Sequence, residues 1–237
     1  MIGAAAARAF QTVRERETDL LRAYTPGAKA QRRDIAQTAV ADFSADPLSA
    51  VAPSGTYFVV AESGGPLSFT RDGALAVRDG ALVDSSNRNV YGYTGNGALT
   101  PLRIPDVDIA LGLSTSARIE ADGAVTLARA SIDPRTGVRE VQRESIGRVA
   151  LARFAPGTAL GQLDAARFTP PAGVVPHYGR PADGNFAALT PNARERSGIN
   201  IDAGLERLQE AYLAVDAIRA AENANRGIEK TAMDLLK

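Results

Sequence analysis

The chain has 237 residues, of which 45% are hydrophobic, and its 27 Lys and Arg residues balance its 27 Asp and Glu residues. This length suits one sizeable domain or two small ones, and the absence of net positive charge argues against nucleic acid or anionic lipid as a partner. The sequence contains no cysteine, which excludes disulfides, thiolate nucleophiles and cysteine-based zinc sites.

The first residues, MIGAAAARAFQTVRERE, lack an apolar stretch long enough for a cleaved secretory signal, since Arg8 interrupts them early. No window of the sequence has the length and apolar character of a transmembrane helix. We therefore expect no membrane insertion, and export from the cytoplasm would use a route that needs no cleaved signal peptide.

The first zone, residues 1–45, predicts an N-terminal helical assembly segment. From residue 4 to about residue 43 it is rich in Ala, Arg, Gln and Glu, which favour an amphipathic helix. The sequence TPG at residues 25–27 interrupts this helix, because proline has no N–H to donate, and a second helix is predicted over residues 29–43. The apolar positions expected on the packed face are Phe10, Val13 and Leu20.

The second zone, residues 46–190, predicts an antiparallel β-domain, since short alternating runs are separated by Gly, Asp, Asn and Pro. The tripeptide Arg-Asp-Gly occurs at residues 71–73 and again at 78–80, and each Asp-Gly predicts a hairpin turn. The proline-rich segment 170–181 is predicted to be an extended connection outside the sheet. The predicted strands are 57–60, 67–69, 74–77, 81–83, 118–119, 125–128, 139–142 and 149–154.

The third zone, residues 191–237, predicts one long C-terminal assembly helix from about residue 199. At 1.5 Å per residue this helix would be about 55 Å long, which is more than a cap on the β-domain requires. Its apolar stripe therefore needs partners, and we expect it to pair with the N-terminal segment and with other chains. The stripe has heptad spacing at Ile201, Leu205, Leu208, Tyr212 and Val215, and it continues after a shortened step through Ile218, Ile228 and Leu235.

Together the three zones predict an α+β fold, in which an antiparallel β-domain is flanked by N- and C-terminal helices that pair in a coiled-coil-like assembly domain. Helices from the two ends of a chain can pair with each other and with further copies. This organisation is typical of proteins that assemble, because each added copy buries apolar surface that a single chain leaves exposed.

Several segments, in the same order along the chain, resemble the flagellar rod and hook proteins. YTPGAKAQRRDI at residues 24–35 is similar to the segment that follows the N-terminal helix in that family. TYFVV, SFTRDGALAV and DGALVDSSNRNVYGY are similar to the start of its β-domain, and ARERSGINI at residues 193–201 is similar to the approach to its terminal helix. The chain departs from the family pattern in having no asparagine-rich run before residue 24 and in having Ala28 where the family usually has Phe.

The resemblance implies a divergent structural subunit of the bacterial flagellar rod or hook axial assembly, which polymerises through its terminal helices. Its partners would be further copies of itself and other rod and hook subunits. It would lie in the periplasmic part of the flagellar basal body and be exported by the flagellar type III apparatus. The terminal helices would form an inner tube, with the β-domain outside.

The residue types that support catalysis are scarce, so we expect no enzyme, cofactor, metal or small-molecule substrate. The only histidine, His177, lies in the proline-rich segment without an evident carboxylate partner, and we interpret it as a solvated loop residue. Asp106 and Asp108 could form a carboxylate pair, but we favour a solvated strand face. GYTGNG at residues 92–97 lacks the Lys-Ser/Thr ending of a phosphate loop and is predicted to be a turn.

An alternative function belongs to a different class. The β-domain could be a binding module that is carried on a coiled coil and recognises a periplasmic or cell-wall ligand. Such a module should keep both helices protected at low concentration, whereas an isolated rod subunit should have protease-sensitive termini.

Overall fold

The computed structural model describes residues 2–25, 28, 41–95, 97–106, 110, 116–132, 135, 137, 139–199 and 201–235. These residues form two compact units. The helical unit contains the described residues of 1–24 and 198–237, and the β unit contains those of 25–28 and 41–197. The fold is α+β, with antiparallel sheets and one helix near each end of the chain.

The helical unit contains α1, Ile2–Leu21, and α2, Ile201–Leu235. The predicted N-terminal helix is confirmed, and it ends four residues before the TPG sequence. Of the second helix predicted over 29–43, residues 29–40 lie outside the described residues. The prediction is wrong for Ala41–Phe43, which form a strand, because their backbone pairs with Ala193–Glu195 and this long-range pairing overrides local helix propensity.

The β unit is built mainly from short strands, and every strand pairing recorded among its described residues is antiparallel, as predicted. The strands β3 to β15 belong to one sheet, while β1 with β17 and β2 with β16 form two small ones. The bounds are β1 Ala41–Phe43, β2 Ala50–Val51, β3 Thr56–Ala61, β4 Ser68–Thr70, β5 Ala76–Arg78, β6 Ala81–Val83, β7 Asn89–Tyr93, β8 Leu99–Pro101, β9 Arg118–Ile119, β10 Ala124–Ile132, β11 Arg139–Val149, β12 Leu151–Arg153, β13 Gly161–Gln162, β14 Arg167–Thr169, β15 His177–Gly179, β16 Thr190–Pro191 and β17 Ala193–Glu195.

Strand β3 lies at the centre of the large sheet, where it pairs with β4, β7 and β12. Its side chains alternate between two apolar clusters: Phe58 and Val60 belong to the larger one, and Val59 belongs to the other. All three side chains are fully buried. Because both faces of the strand are covered, the sequence here is a continuous apolar run instead of an alternating one.

The two Arg-Asp-Gly tripeptides have different structures. The second joins β5 to β6 as predicted, and the positive φ angles of Asp79 (47°) and Gly80 (72°) are those of a two-residue hairpin turn. The hairpin predicted at the first tripeptide is wrong, because β4 pairs with β3 and β14 and not with β5. Glycine is required there for space, since a Cβ on Gly73 would lie 1.7 Å from the carbonyl oxygen of Ala50.

The proline-rich segment also differs from the prediction. His177–Gly179 form β15, which pairs with β12 through Ala152 and Tyr178. Pro176 and Pro181 stand outside the strand, so neither removes a hydrogen-bond donor from it. The sequence signal of the prolines therefore masked a short strand between them.

Candidate assembly surface

The helices α1 and α2 pack against each other in antiparallel orientation within the helical unit. The centre of their contact is a cluster of Val13, Ala211 and Val215, with Ala9 and Leu208 at its border. Val13 and Val215 are 6% and 4% exposed, so this part of the predicted packed face is buried. The apolar content of this cluster is small, because alanine contributes little buried area.

A glycine allows the two helices to approach closely at one end of the contact. A Cβ on Gly204 of α2 would lie 2.7 Å from Cδ2 of Leu20 on α1. Leu20 is half-buried, and Gly204 is buried. A larger residue at position 204 would push the Leu20 side chain away, so the small residue sets the local distance between the helices.

The buried line along α2 differs by one residue from the predicted stripe at two places. Positions 201, 204, 208, 211, 215, 218 and 222 of α2 are buried or half-buried, and they follow one another at spacings of three and four. The neighbouring Leu205 and Tyr212, which the sequence placed in the stripe, are 54% and 46% exposed. The prediction followed the large apolar residues, because they give the clearest helical periodicity in a sequence. Gly204 and Ala211 are small, so only their spacing along the helix indicated that they are buried.

Polar contacts border the apolar line. The Tyr212 hydroxyl donates a hydrogen bond to the Glu17 carboxylate, and this bond, together with some burial, raises the pKa of Tyr212. The Arg219 guanidinium lies over the ring of Phe10, 5.2 Å from its centroid. Both contacts join α1 to α2, and they hold the phenol of Tyr212 and the ring of Phe10 (42% exposed) at the edge of the pair.

Much of the predicted interface remains exposed along α2. Ile201 and Ile218 are half-buried, whereas Ile228 and Leu235 are 67% and 83% exposed. At 1.5 Å per residue α2 is about 52 Å long and α1 about 30 Å, so α1 cannot cover the whole of α2. Further large apolar side chains exposed on the helical unit are Leu21, Tyr24, Leu213 and Met233.

The β unit contains a cluster of buried charges that the sequence did not predict. The Arg71 guanidinium donates to Glu195 (Nε to Oε2, 2.7 Å) and to the backbone carbonyl oxygens of Pro53 (2.7 Å) and Thr56 (2.6 Å). Arg71 and Glu195 are 7% and 2% exposed. A third carbonyl oxygen, of Ala52, accepts from the same guanidinium at 2.9 Å, so the buried charge is fully surrounded by acceptors.

A second arginine of the β unit, Arg88, is also buried. The Arg88 guanidinium donates to Asp84 (Nε to Oδ2, 2.7 Å) and to Asp164 (Nη1 to Oδ2, 2.8 Å). The carboxylate of Asp72 accepts a hydrogen bond from the Ser85 hydroxyl, but burial raises the pKa of Asp72 above its usual value. The two arginines and the carboxylates of Glu195, Asp84 and Asp164 satisfy one another, which indicates a structural role for these ion pairs.

An open cleft of about 500 Å³ lies along β12 and β15, and its lining includes Arg153, Phe154, Val175 and His177. The predicted loop histidine is thus a strand residue, although it is exposed as expected. Its ring stacks on that of Phe186, with 5.6 Å between the centroids and an angle of 5°. No carboxylate is among the described residues that line this cleft. The carboxylate that interacts with His177 belongs to Asp183, whose pKa is lowered mainly by the Arg180 N–H and also by the charge of His177.

The other chemical candidates are also placed by the structure. Asp106 is exposed as predicted, but its backbone is helical, so the predicted strand face is wrong at this residue, and Asp108 lies outside the described residues. In the segment 92–97 the Gly97 N–H donates to the Thr94 carbonyl oxygen at 2.9 Å in the connection from β7 to β8. Among the described residues, no three His, Cys, Asp or Glu side chains are grouped so that they could hold a metal ion. Neither α1 nor α2 combines the length and hydropathy that a membrane-spanning helix needs, as judged over the described residues.

In comparisons with known proteins, no family model and no curated protein matches the chain.

Proposed function

We propose that the protein is a structural subunit of the bacterial flagellar rod or hook axial assembly and that it polymerises through its terminal helices. Two features support this proposal. The helices at the two ends of the chain contact each other, and the segment between them forms an antiparallel β unit. The proposed location is the periplasmic axial structure of the basal body, reached by flagellar type III export without a cleaved signal peptide.

The observation that carries the proposal is the mismatch between α2 and its partner helix. The last part of α2 exposes Ile228, Met233 and Leu235, each by at least two thirds of its surface. Exposed apolar side chains of this size on one helix favour a protein partner. Further copies of the helical pair, packed in a coiled-coil-like arrangement, would cover these residues at each step of an open assembly.

Polymerisation can be tested with the purified chain by sedimentation velocity and electron microscopy. The wild-type chain should form larger species as its concentration rises. A double variant with Ile228→Asp and Leu235→Asp should remain monomeric, because burial of the new carboxylates would oppose helix packing. Val175→Asp, at a residue that is 83% exposed in the β unit, is the matched control and should assemble like the wild-type chain.

The flagellar location needs a separate measurement, since many proteins self-associate. Basal bodies isolated from the source bacterium should contain the chain in their axial fraction, as detected by mass spectrometry. A wild-type chain that stays monomeric at every concentration, or basal bodies that lack it, would contradict the proposal.

The cleft at β12 and β15 favours a second candidate function, a binding module for a periplasmic or cell-wall ligand. It presents the exposed Val175 beside Phe154 and His177. Limited proteolysis at low concentration separates the two functions. Cleavage within α1 or α2 around a resistant β unit supports the assembly subunit, and full protection of both helices supports the binding module.

A further inference from the structure

The hairpin of β10 and β11 extends past the strands beside it. β10 pairs with β9 only at Val125 and Thr126, and β11 pairs with β7 only at Arg148 and Val149. The β10–β11 pairing itself continues to Ile132 and Arg139. The outer edge of β11 over residues 139–147, which we call the β11 edge, therefore has no strand partner among the described residues. Nine residues at about 3.3 Å each give this edge a length of about 30 Å.

The β11 edge is exposed as well as unpaired. Val141 is 62% exposed, and the four residues that follow it, 142–145, are all exposed. An unpaired edge presents backbone N–H and C=O groups that can pair with another strand. A two-stranded hairpin is only marginally stable by itself, and the ion pair of Arg129 with Glu144 (3.0 Å) is too exposed to add much. A strand partner would supply the missing hydrogen bonds.

A second exposed edge belongs to β1, the first strand of the β unit. β1, Ala41–Phe43, pairs with β17 and with no other strand among those described. All three of its residues are exposed, and Phe43 is 86% exposed. Alternation along the strand places Ala41 and Phe43 on one face and Asp42 on the other, where Asp42 is held by Arg196 at 2.8 and 2.9 Å.

The two edges fit each other better than the β11 edge fits a symmetric copy of itself. In a symmetric antiparallel pair of two β11 edges, equivalent side chains lie on the same face of the joined sheet. The Arg143 side chains of the two copies would therefore share one face, where like charges are unfavourable. Antiparallel pairing with β1 can instead place Phe43 opposite Val141, Asp42 opposite Gln142 and Ala41 opposite Arg143. This register joins two large apolar side chains and places no like charges directly opposite each other. Glu144 would lie diagonal to Asp42, whose charge is already neutralised by Arg196.

We propose that the β11 edge of one copy adds a strand to β1 of the next copy in the assembly. The inference rests on the proposed function, because it names a contact between polymerising subunits. The contact is heterologous, since it uses a different surface on each copy, and such contacts repeat into open chains instead of closing as a dimer. It adds a sheet-to-sheet contact to the helix contacts proposed above.

Introduced cysteines test this contact directly, because the chain has no cysteine of its own. A Val141→Cys chain and a tagged Phe43→Cys chain are mixed under conditions in which the wild-type chain assembles, and then oxidised. The mixture should give a disulfide-linked heterodimer on a non-reducing gel, since residues opposite each other on paired strands can form a disulfide. Val141→Cys alone, and Val141→Cys mixed with the exposed control Val175→Cys, should give at least tenfold less cross-linked product.

The outcomes separate this inference from the function on which it rests. If the wild-type chain assembles but the mixture gives no more heterodimer than the two controls, the strand contact is refuted and the helix-based function stands. A wild-type chain that does not assemble refutes the function itself. A further variant, Val141→Asp, should reduce the length of polymers without changing the far-ultraviolet circular dichroism of the monomer, and unchanged polymer length would also count against the contact.

Discussion

The β unit buries Arg71 and Arg88 together with carboxylates that neutralise them. The helical unit also buries charge, at Arg16 and Asp19 of α1, but α1 and α2 meet through alanine, glycine and a few aliphatic side chains. Arg71 links β17 to the turn before β3, so charges far apart in the sequence close one region of the fold. The contact of the helices covers only part of α2. The difference lies in what each unit leaves exposed: the Arg71 and Arg88 charges are satisfied within the β unit, while the apolar side chains at the end of α2 are those that the proposed assembly would cover.

The largest expected effect is the loss of the Arg71 side chain. Arg71→Ala would leave the Glu195 carboxylate buried without its counter-ion and would remove a donor from three carbonyl oxygens. Breaking a buried pair from one side costs about 3–5 kcal/mol, and urea denaturation of the β unit should show a loss of this size.

Two further variants are controls for this prediction. Arg196→Ala removes an exposed partner of Asp42 and should change the free energy of unfolding little. The double variant with Arg71→Met and Glu195→Leu leaves no buried charge and should recover part of the loss, although the carbonyl oxygens still lack their donor. If Arg71→Ala destabilises no more than Arg196→Ala, the buried charges do not stabilise the β unit.

A smaller effect is expected in the helical unit, where two substitutions on α2 can be compared. Val215→Ala removes two buried methyl groups from the contact with α1 and should cost about 1–2 kcal/mol, measured by loss of helical circular dichroism at low protein concentration. Leu235→Ala, at a residue that is 83% exposed, should change the monomer by less than about 0.5 kcal/mol.

The comparison becomes sharper when the same two variants are measured at concentrations that allow assembly. Leu235→Ala should then weaken association, because the leucine would be covered by another copy. Equal behaviour of Leu235→Ala and the wild-type chain in both measurements would show that the exposed end of α2 has no partner.

The sequence predicted those features whose signal is local. Heptad and alternating patterns identified α1, α2 and the antiparallel sheet, and Asp79-Gly80 identified the turn between β5 and β6. The same tripeptide at 71–73 misled the prediction, because its structure depends on Glu195, 124 residues away, and on the backbone of Ala50. No local pattern shows such a partner.

The sequence indicated only part of the candidate assembly surface. Val13 and Val215, which were predicted on the packed face from their apolar spacing, share one buried cluster in the contact of the helices. Gly204 and Ala211 were missed, because a small residue that permits close approach has the same sequence signal as a neutral one. The β11 edge was missed as well, since the length of a hairpin beyond its neighbours depends on where the other strands end.

The smallest expected effect concerns the pH dependence of the buried charges. Burial raises the pKa of Asp72 in the folded state above its unfolded value, so the folded chain holds the proton more tightly than the unfolded chain. The contribution of Asp72 to stability therefore decreases as the pH rises from the unfolded pKa, about 3.9, through the raised folded value, and it is least favourable at neutral pH.

The variant Asp72→Asn tests this pH dependence, because asparagine does not titrate. Its amide can still accept from the Ala74 N–H and donate to Ser85. The free energy of unfolding of the variant, relative to the wild-type chain, should thus increase with pH across this window in urea titrations between about pH 4 and pH 8. A constant difference between the two proteins over that range would mean that the Asp72 carboxyl does not titrate differently in the folded and unfolded chains, and the cost of burying its charge would then be fully offset by Ser85 and the nearby Arg88.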